Sequence, residues 1–235
     1  MRKGFQGPLA QSGNTPPPAF TYKPPLDDGL TIIHQDDDIL VLSKPANLLS
    51  VPGKEADMRD SMETRAQNAF PSAKVVHRLD RGTSGIFIMA LNENAHRHLG
   101  LQFEKRQTSK TYIAKVSGIM TPKTGKLELP LRTDWYNRPK QMVDTYMGRE
   151  AITRWKVLEH FEDSSMVELY PETGRSHQLR VHLMELGFPI LGDTFYNHEV
   201  PNRSPERMLL HAQSLEIRHP TNGECVTFVD PCPFS

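Results

Sequence analysis

At 235 residues the chain can bury one large core, with or without a tail. Its longest apolar runs, such as Ile86–Leu91, fall far short of the roughly 20 residues that a membrane-spanning helix needs. Cys225 and Cys232 fit neither a CxxC metal pattern nor a disulfide framework, and the 28 Lys and Arg equal the 28 Asp and Glu, a balance that by itself argues against a nucleic-acid partner.

Residues 1–25 hold Gly4, Gly7, Gly13, the Pro16–Pro18 run and Pro24-Pro25, a composition that cannot build a core and predicts an extended or disordered arm ahead of a single domain over 26–235. Arg2 and Lys3 lead into Gly, Gln and Pro, not an apolar stretch, so no secretory signal is expected, and the compartment expected is the reducing cytoplasm. Two short strands follow, Leu30–Ile33 and Ile39–Leu42, around the acidic turn Gln35–Asp38. Asp57–Phe70 is predicted as a helix stopped by Pro71, with Met58, Met62, Ala66 and Ala69 near helical spacing. Val75-Val76, a turn-forming loop and a strand from Ile86 to Leu91 come next.

Asn92 is placed to cap a helix reaching about Lys105, with Ala95, Leu99 and Phe103 on one face. Thr111–Ser117 alternates as a strand. The segment to about Arg149 is predicted as mostly loop, before strands at Ile152–Leu158 and Met166–Tyr170. Ser176 precedes a helix whose apolar stripe is Leu179, Leu183 and Leu186, ended by Gly187. Leu209–His211, Leu215–Arg218 and Cys225–Val229 are predicted as three final strands. Many strands, few helices and no βαβ alternation predict an α+β fold with a mixed, largely antiparallel sheet and flanking helices.

The charge balance is uneven along the chain. Between Arg97 and Lys156 there are thirteen Lys or Arg against five Asp or Glu, while acids gather near Asp27, Asp36–Asp38 and Glu55–Asp60. A local basic surface is enough to meet phosphate, and a set of ordinary solvated faces is the plainer alternative. In the loop before the Ile86 strand, Asp80 sits between Arg78 and Arg81, where nearby positive charge favours the ionised acid. A surface acid paired with its own neighbours would look the same.

The string HRLDRGTSG (77–85) resembles the signature of the RluA-type pseudouridine synthases. The resemblance continues in order through SKTYIAKV, NRPKQ, ETGRSHQLRVHLMELGFPILGD and LLHA, covering roughly residues 30–230. It implies a mixed sheet with an RNA-binding cleft, an isomerase that turns specific RNA uridines into pseudouridine, and Asp80 as the essential acid. It also implies Arg180 as an ion partner of Asp80, Tyr112 as a ring that stacks on the displaced base, and Arg78 as a cation that fills the vacated space. On their residue types alone these would be a helix-surface arginine, a core tyrosine and a local salt bridge. LLSVPG, NRPKQ and PILGD are similar to the short members without an N-terminal S4-like domain that modify large-subunit rRNA and a tRNA anticodon stem-loop.

Pseudouridine formation breaks the N1–C1′ bond, turns the uracil and rejoins it through C5. It involves no redox change and no outside group, so neither cofactor nor metal is expected. One carboxylate suffices, as a nucleophile on sugar or base or as a base toward a sugar proton, and the sequence supports each equally; a hydrolytic glycosidase would need two. Asn137, Arg138, Lys140 and Gln141, polar and proline-braced in the basic region, are expected to contact RNA. Leu191 is expected against the base or in the core, and His77, His177, His182 and His211 as satisfied core histidines. The competing readings are a non-catalytic RNA-binding protein with the same fold and a hydrolase; for the latter no G-x-S-x-G or comparable motif is present. The partner expected is RNA, with no membrane, and the chain a monomer.

Overall fold

The computed structural model describes residues 21–197 and 206–234. Its elements run β1 (Ile32–Gln35), β2 (Ile39–Lys44), α1 (Met62–Ala69), β3 (Lys74–Val75), β4 (Ser84–Ala90), α2 (Glu93–Glu104), β5 (Ser109–Ser117), β6 (Thr124–Glu128), β7 (Leu131–Thr133), β8 (Gln141–Val143), β9 (Ile152–His160), β10 (Ser164–Pro171), α3 (Gln178–Glu185), β11 (Leu210–Arg218) and β12 (Cys225–Val229). One sheet has the order β1-β2-β4-β11-β5-β10-β9-β6, with β3 added on β4 and β12 on β11, while β7 and β8 form a separate hairpin. Its pairings are antiparallel except for β4 with β11. The α+β expectation holds.

Strand β4 is buried along its whole length, which is why it reads as an unbroken apolar run rather than an alternating one. Period two sends Ile86, Ile88 and Ala90 to one face, where Ala95, Leu99 and Phe103 of α2 cover them. Phe87 and Met89 go to the other face, against Met62 and Ala66 of α1. The Asn92 side chain accepts the Ala95 N–H at 2.9 Å and starts α2 where the sequence predicts. A third cluster joins Val116, Val167 and Leu169 of the sheet to Leu179 and Leu183 of α3.

Several expectations are corrected. The helix predicted over Asp57–Phe70 is a 3-10 turn at Ala56–Met58 followed by α1, because the Ser61 hydroxyl accepts the Thr64 N–H and caps the helix there. The stretch predicted as loop up to Arg149 contains β6, β7 and β8, short strands whose exposed residues leave little apolar pattern to read. The strands predicted at Leu209–His211 and Leu215–Arg218 are one strand, β11, with a register shift between Ala212 and Ser214. Helix α3 is buried from Gln178 to Leu183, so Arg180 is a buried side chain and not the helix-surface arginine its residue type alone suggests.

Of the proline-rich arm expected over 1–25, residues 1–20 lie outside those described. Just beyond them Tyr22 is buried, its hydroxyl donating to Asp60 O and accepting Leu49 N–H, both at 3.0 Å. Arg65 donates to Pro25 O at 2.6 Å. No described helix is long and apolar enough to cross a membrane.

Candidate active site

The loop between β3 and β4 is held by its backbone. Ser50 Oγ donates to Leu79 O at 2.7 Å and accepts Leu79 N–H at 3.0 Å. Thr83 N–H closes a turn onto Asp80 O at 3.1 Å. The fully buried Lys44 donates to three carbonyls, Pro45 O, Leu48 O and Arg81 O, the last belonging to the loop itself. Burial draws the Lys44 ammonium down to about 7, with the Asp80 charge opposing that pull. Gly85 ends the loop at φ +110, where an added Cβ would lie 2.3 Å from Ala212 O, so only glycine lets β4 run this close to β11. These constraints present Asp80, its side chain 27% exposed, to a cavity of about 1020 Å³.

Arg180 reaches Asp80 from α3. Its Nη1 donates to Asp80 Oδ2 at 3.1 Å across 100 residues of chain. Nε and Nη2 of the same guanidinium donate to Asp193 Oδ2 and Oδ1 at 2.6 and 2.8 Å, a bidentate pair that leaves one direction for Asp80. Asp193 is buried and its Oδ1 also accepts the N–H of Phe195 and of Tyr196, while both their rings lie 5.1 Å from the guanidinium carbon. Burial would lower the Arg180 pKa, but the hydrogen bonds and charge of Asp193, then of Asp80, raise it. The ion partner of Asp80 is therefore Arg180, as the family pattern implies, and not its neighbour Arg78, which has no ion pair among the described residues.

Tyr112 lines the same cavity from β5, and burial followed by the Asp80 charge pushes its hydroxyl pKa up, so it keeps its proton. His177, expected in the core, lines the cavity too, with Nε2 3.9 Å from Asp80 Oδ2 and Nδ1 2.7 Å from the Tyr196 hydroxyl. That hydroxyl also accepts the Gln141 N–H at 2.7 Å and has the Gln141 carbonyl oxygen at 3.4 Å as a second acceptor for its proton, so it ties His177 to the strand β8. Burial lowers the His177 pKa and favours the neutral ring. His182 and His211 are buried and satisfied as expected, the first by Thr153 and Leu129 O, the second by Ser84 and Asp230 O. His77, whose Nε2 accepts Ile88 N–H, is instead half-buried and also lines the cavity.

Arg78, Arg138 and Gln141 line the cavity; Asn137 and Lys140 do not. Asn137 Nδ2 instead donates to Asp134 Oδ2 at 2.8 Å and braces the hairpin loop, whose Trp135 carries the Arg138 guanidinium 3.4 Å above its ring. Leu191 is outside the lining, its backbone paired with Lys115 and Leu209. Elsewhere Asp36, Asp38 and His219 bring ligand atoms within 4.8 Å of one another, but these oxygens are taken up by His34, His219, Thr221 and Asn92.

Residues 38–185 match the family model described as RNA pseudouridylate synthase. The chain belongs to the RNA pseudouridylate synthase family. The dual-specificity RNA pseudouridine synthase RluA of Escherichia coli strain K12 is 47% identical over 214 residues, 91% of this chain and 98% of that protein. Its counterpart in Haemophilus influenzae is 45% identical over 208 residues, 88% and 95% of the two. Among solved structures, human RNA pseudouridylate synthase domain containing 1 superposes with a TM-score of 0.76 at 31% identity, covering 91% of this chain and 87% of that one. This pseudouridine synthase is thus an isomerase acting on RNA uridines.

Within the synthase, Asp193, Tyr196 and Lys44 were not singled out by the sequence, and His177 was placed in the core. Asp193 had a usable signal, an acid directly after the apolar turn Ile190–Gly192. His177 takes φ +54, a conformation uncommon for a non-glycine residue, and no local pattern announces it.

Proposed function

We propose that this synthase acts on uridines of large-subunit rRNA and of a tRNA anticodon stem-loop, in the cytoplasm and as a monomer, with Asp80 as its catalytic carboxylate. The observation that carries the reading is the unequal use of the two Asp80 oxygens. Oδ2 takes Arg180, whereas Oδ1 accepts no hydrogen bond among the described residues and is not sealed from the cavity. A flipped-out uridine would present its sugar to that oxygen, which attacks C1′ or takes the C2′ proton as the N1–C1′ bond breaks. Arg180 keeps the acid ionised and aimed. Tyr112 stacks on the freed uracil and, still protonated, can hydrogen-bond to it while C5 turns toward C1′. As C5 bonds to C1′ the Asp80–C1′ bond breaks, or Asp80 returns the C2′ proton, and the C5 proton then leaves to solvent as N1 takes one up. Arg78, in the cavity lining and without an ion pair among the described residues, fills the space the base leaves. Arg138 and Gln141 meet the RNA, with Asn137 and Lys140 shaping and flanking their loop. The dual specificity named for the 47% identical relative supports two classes of substrate.

The test is to incubate total RNA with the wild-type protein and with Asp80→Asn, then map new pseudouridines. Wild type should create them at a few rRNA and tRNA positions; Asp80→Asn should create none while its RNA affinity stays within about twofold. Turnover by Asp80→Asn would eliminate the mechanism, and RNA bound but unchanged by wild type would favour a binding protein with this fold.

A further inference from the structure

The cavity carries a group of cations that the chemistry at Asp80 does not use: Arg106 just beyond α2, Lys110 on β5, Arg149 ahead of β9 and Arg175 ahead of α3. They are neighbours. An added Cβ on Gly174 would have the Lys110 ammonium, at 3.7 Å, as its nearest contact, which puts Lys110 against the loop that carries Arg175. Arg106 Nη1 donates to Glu150 Oε2 at 2.7 Å, and Arg175 Nε donates to the Glu150 backbone carbonyl at 2.9 Å. Lys110, Arg149 and Arg175 have no carboxylate partner among the described residues. Burial and then the Arg106 charge lower the Lys110 pKa, and burial followed by Arg149 and Arg106 lowers that of Arg175. Four cations that repel one another, offset by Glu150 paired to Arg106 and by Glu104 in the same lining, still leave a net positive wall that makes the folded chain less stable than a neutral one would. An anion entering the cavity removes that penalty.

We propose that Lys110, Arg149 and Arg175, backed by Arg106, form a phosphate-binding wall for the RNA backbone beside the flipped uridine. This deepens the reading of the site as an RNA-modifying centre and rests on it. A backbone phosphate supplies oxygens for two or three of these donors at once, and two successive phosphates would use the whole wall. The wall gives register and affinity without reading base identity. It therefore suits an enzyme that must accept more than one RNA.

The test measures equilibrium binding of a synthetic RNA stem-loop with uridines in its loop, in an Asp80→Asn background so that the RNA stays unmodified. Lys110→Gln, Arg149→Gln and Arg175→Gln are compared singly and together with Arg97→Gln, an exposed cation on α2 outside the cavity. Each phosphate contact removed should lower the slope of log K against log salt by about 0.7 to 0.9 and weaken Kd about five- to eightfold at 0.1 M salt. The triple variant should lose about two units of slope and Arg97→Gln almost none. If Lys110→Gln lowers the melting temperature, the Arg149→Gln/Arg175→Gln pair carries the comparison. A triple or double variant with unchanged slope and Kd, or a loss no larger than that of Arg97→Gln, overturns the wall. With the catalytic acid intact, pseudouridine formation by the wild type tells that failure apart from a failure of the functional reading.

Discussion

Asp193 shows what a single buried side chain contributes to this site. It holds two of the three nitrogens of a buried guanidinium and so decides where the third points. Asp193→Asn keeps the shape but removes the charge, and breaking one side of a buried ion pair costs about 3–5 kcal/mol. The variant should melt at a lower temperature and also lose kcat at least tenfold, with KM changed much less. Thermal unfolding and single-turnover rates on folded protein separate the two effects: a purely structural Asp193 would lower the melting temperature and leave the rate per folded molecule intact. Asp80, Tyr112 and Arg180 were legible because their motif strings are distinctive. Asp193 stands inside the PILGD string, but nothing in that string says that its carboxylate braces Arg180 from 13 residues away.

At the scale of elements, His77 ties the Asp80 loop to β4. Its Nε2 accepts the Ile88 N–H at 3.0 Å, and its ring stacks on Phe103 at 4.8 Å, so the folded protein requires the neutral ring. Burial, then the charge of Lys110, lowers its pKa to about 3. Below the unfolded value of about 6.5 the unfolded chain takes a proton that the native state refuses, so stability from this group is complete above 6.5 and falls as pH drops toward 3. The full loss is on the order of 5 kcal/mol. His77→Gln keeps an acceptor for Ile88 and cannot titrate there; its urea midpoint should decline less between pH 6.5 and 4 than that of the wild type. An equal decline would show that His77 does not drive the acid sensitivity. The strand and helices around His77 were readable from periodicity, whereas β6 to β8 were not, because strands with few buried positions leave no period to detect.

At the scale of the whole molecule, the cavity is walled by segments distant in sequence: the Asp80 loop, β5, the hairpin loop after β7 and the turn ahead of α3. On the hairpin loop Trp135 is 63% exposed and Tyr136 is 99% exposed, an apolar surface with Arg138 over one of its rings. Such rings suit unpaired bases, and stacking one base is worth about 1–3 kcal/mol. Trp135→Ala should therefore weaken binding of the stem-loop about tenfold while leaving the melting temperature within a degree or two. Unchanged affinity in a filter-binding titration would remove the hairpin tip from the RNA path.

By itself the sequence determined the fold class, the long buried strand, the α2 cap and the family, and it singled out Asp80 as the candidate acid. Each of these depends on neighbours a few residues apart or on strings of distinctive order. Only the tertiary structure decided that Arg180 is buried and braced by Asp193, that His177 leaves the core for the cavity, and that Lys110, Arg149 and Arg175 share one wall. Those facts arise from contacts across many tens of residues, where charge, burial and hydrogen bonding act through space and leave no period along the chain.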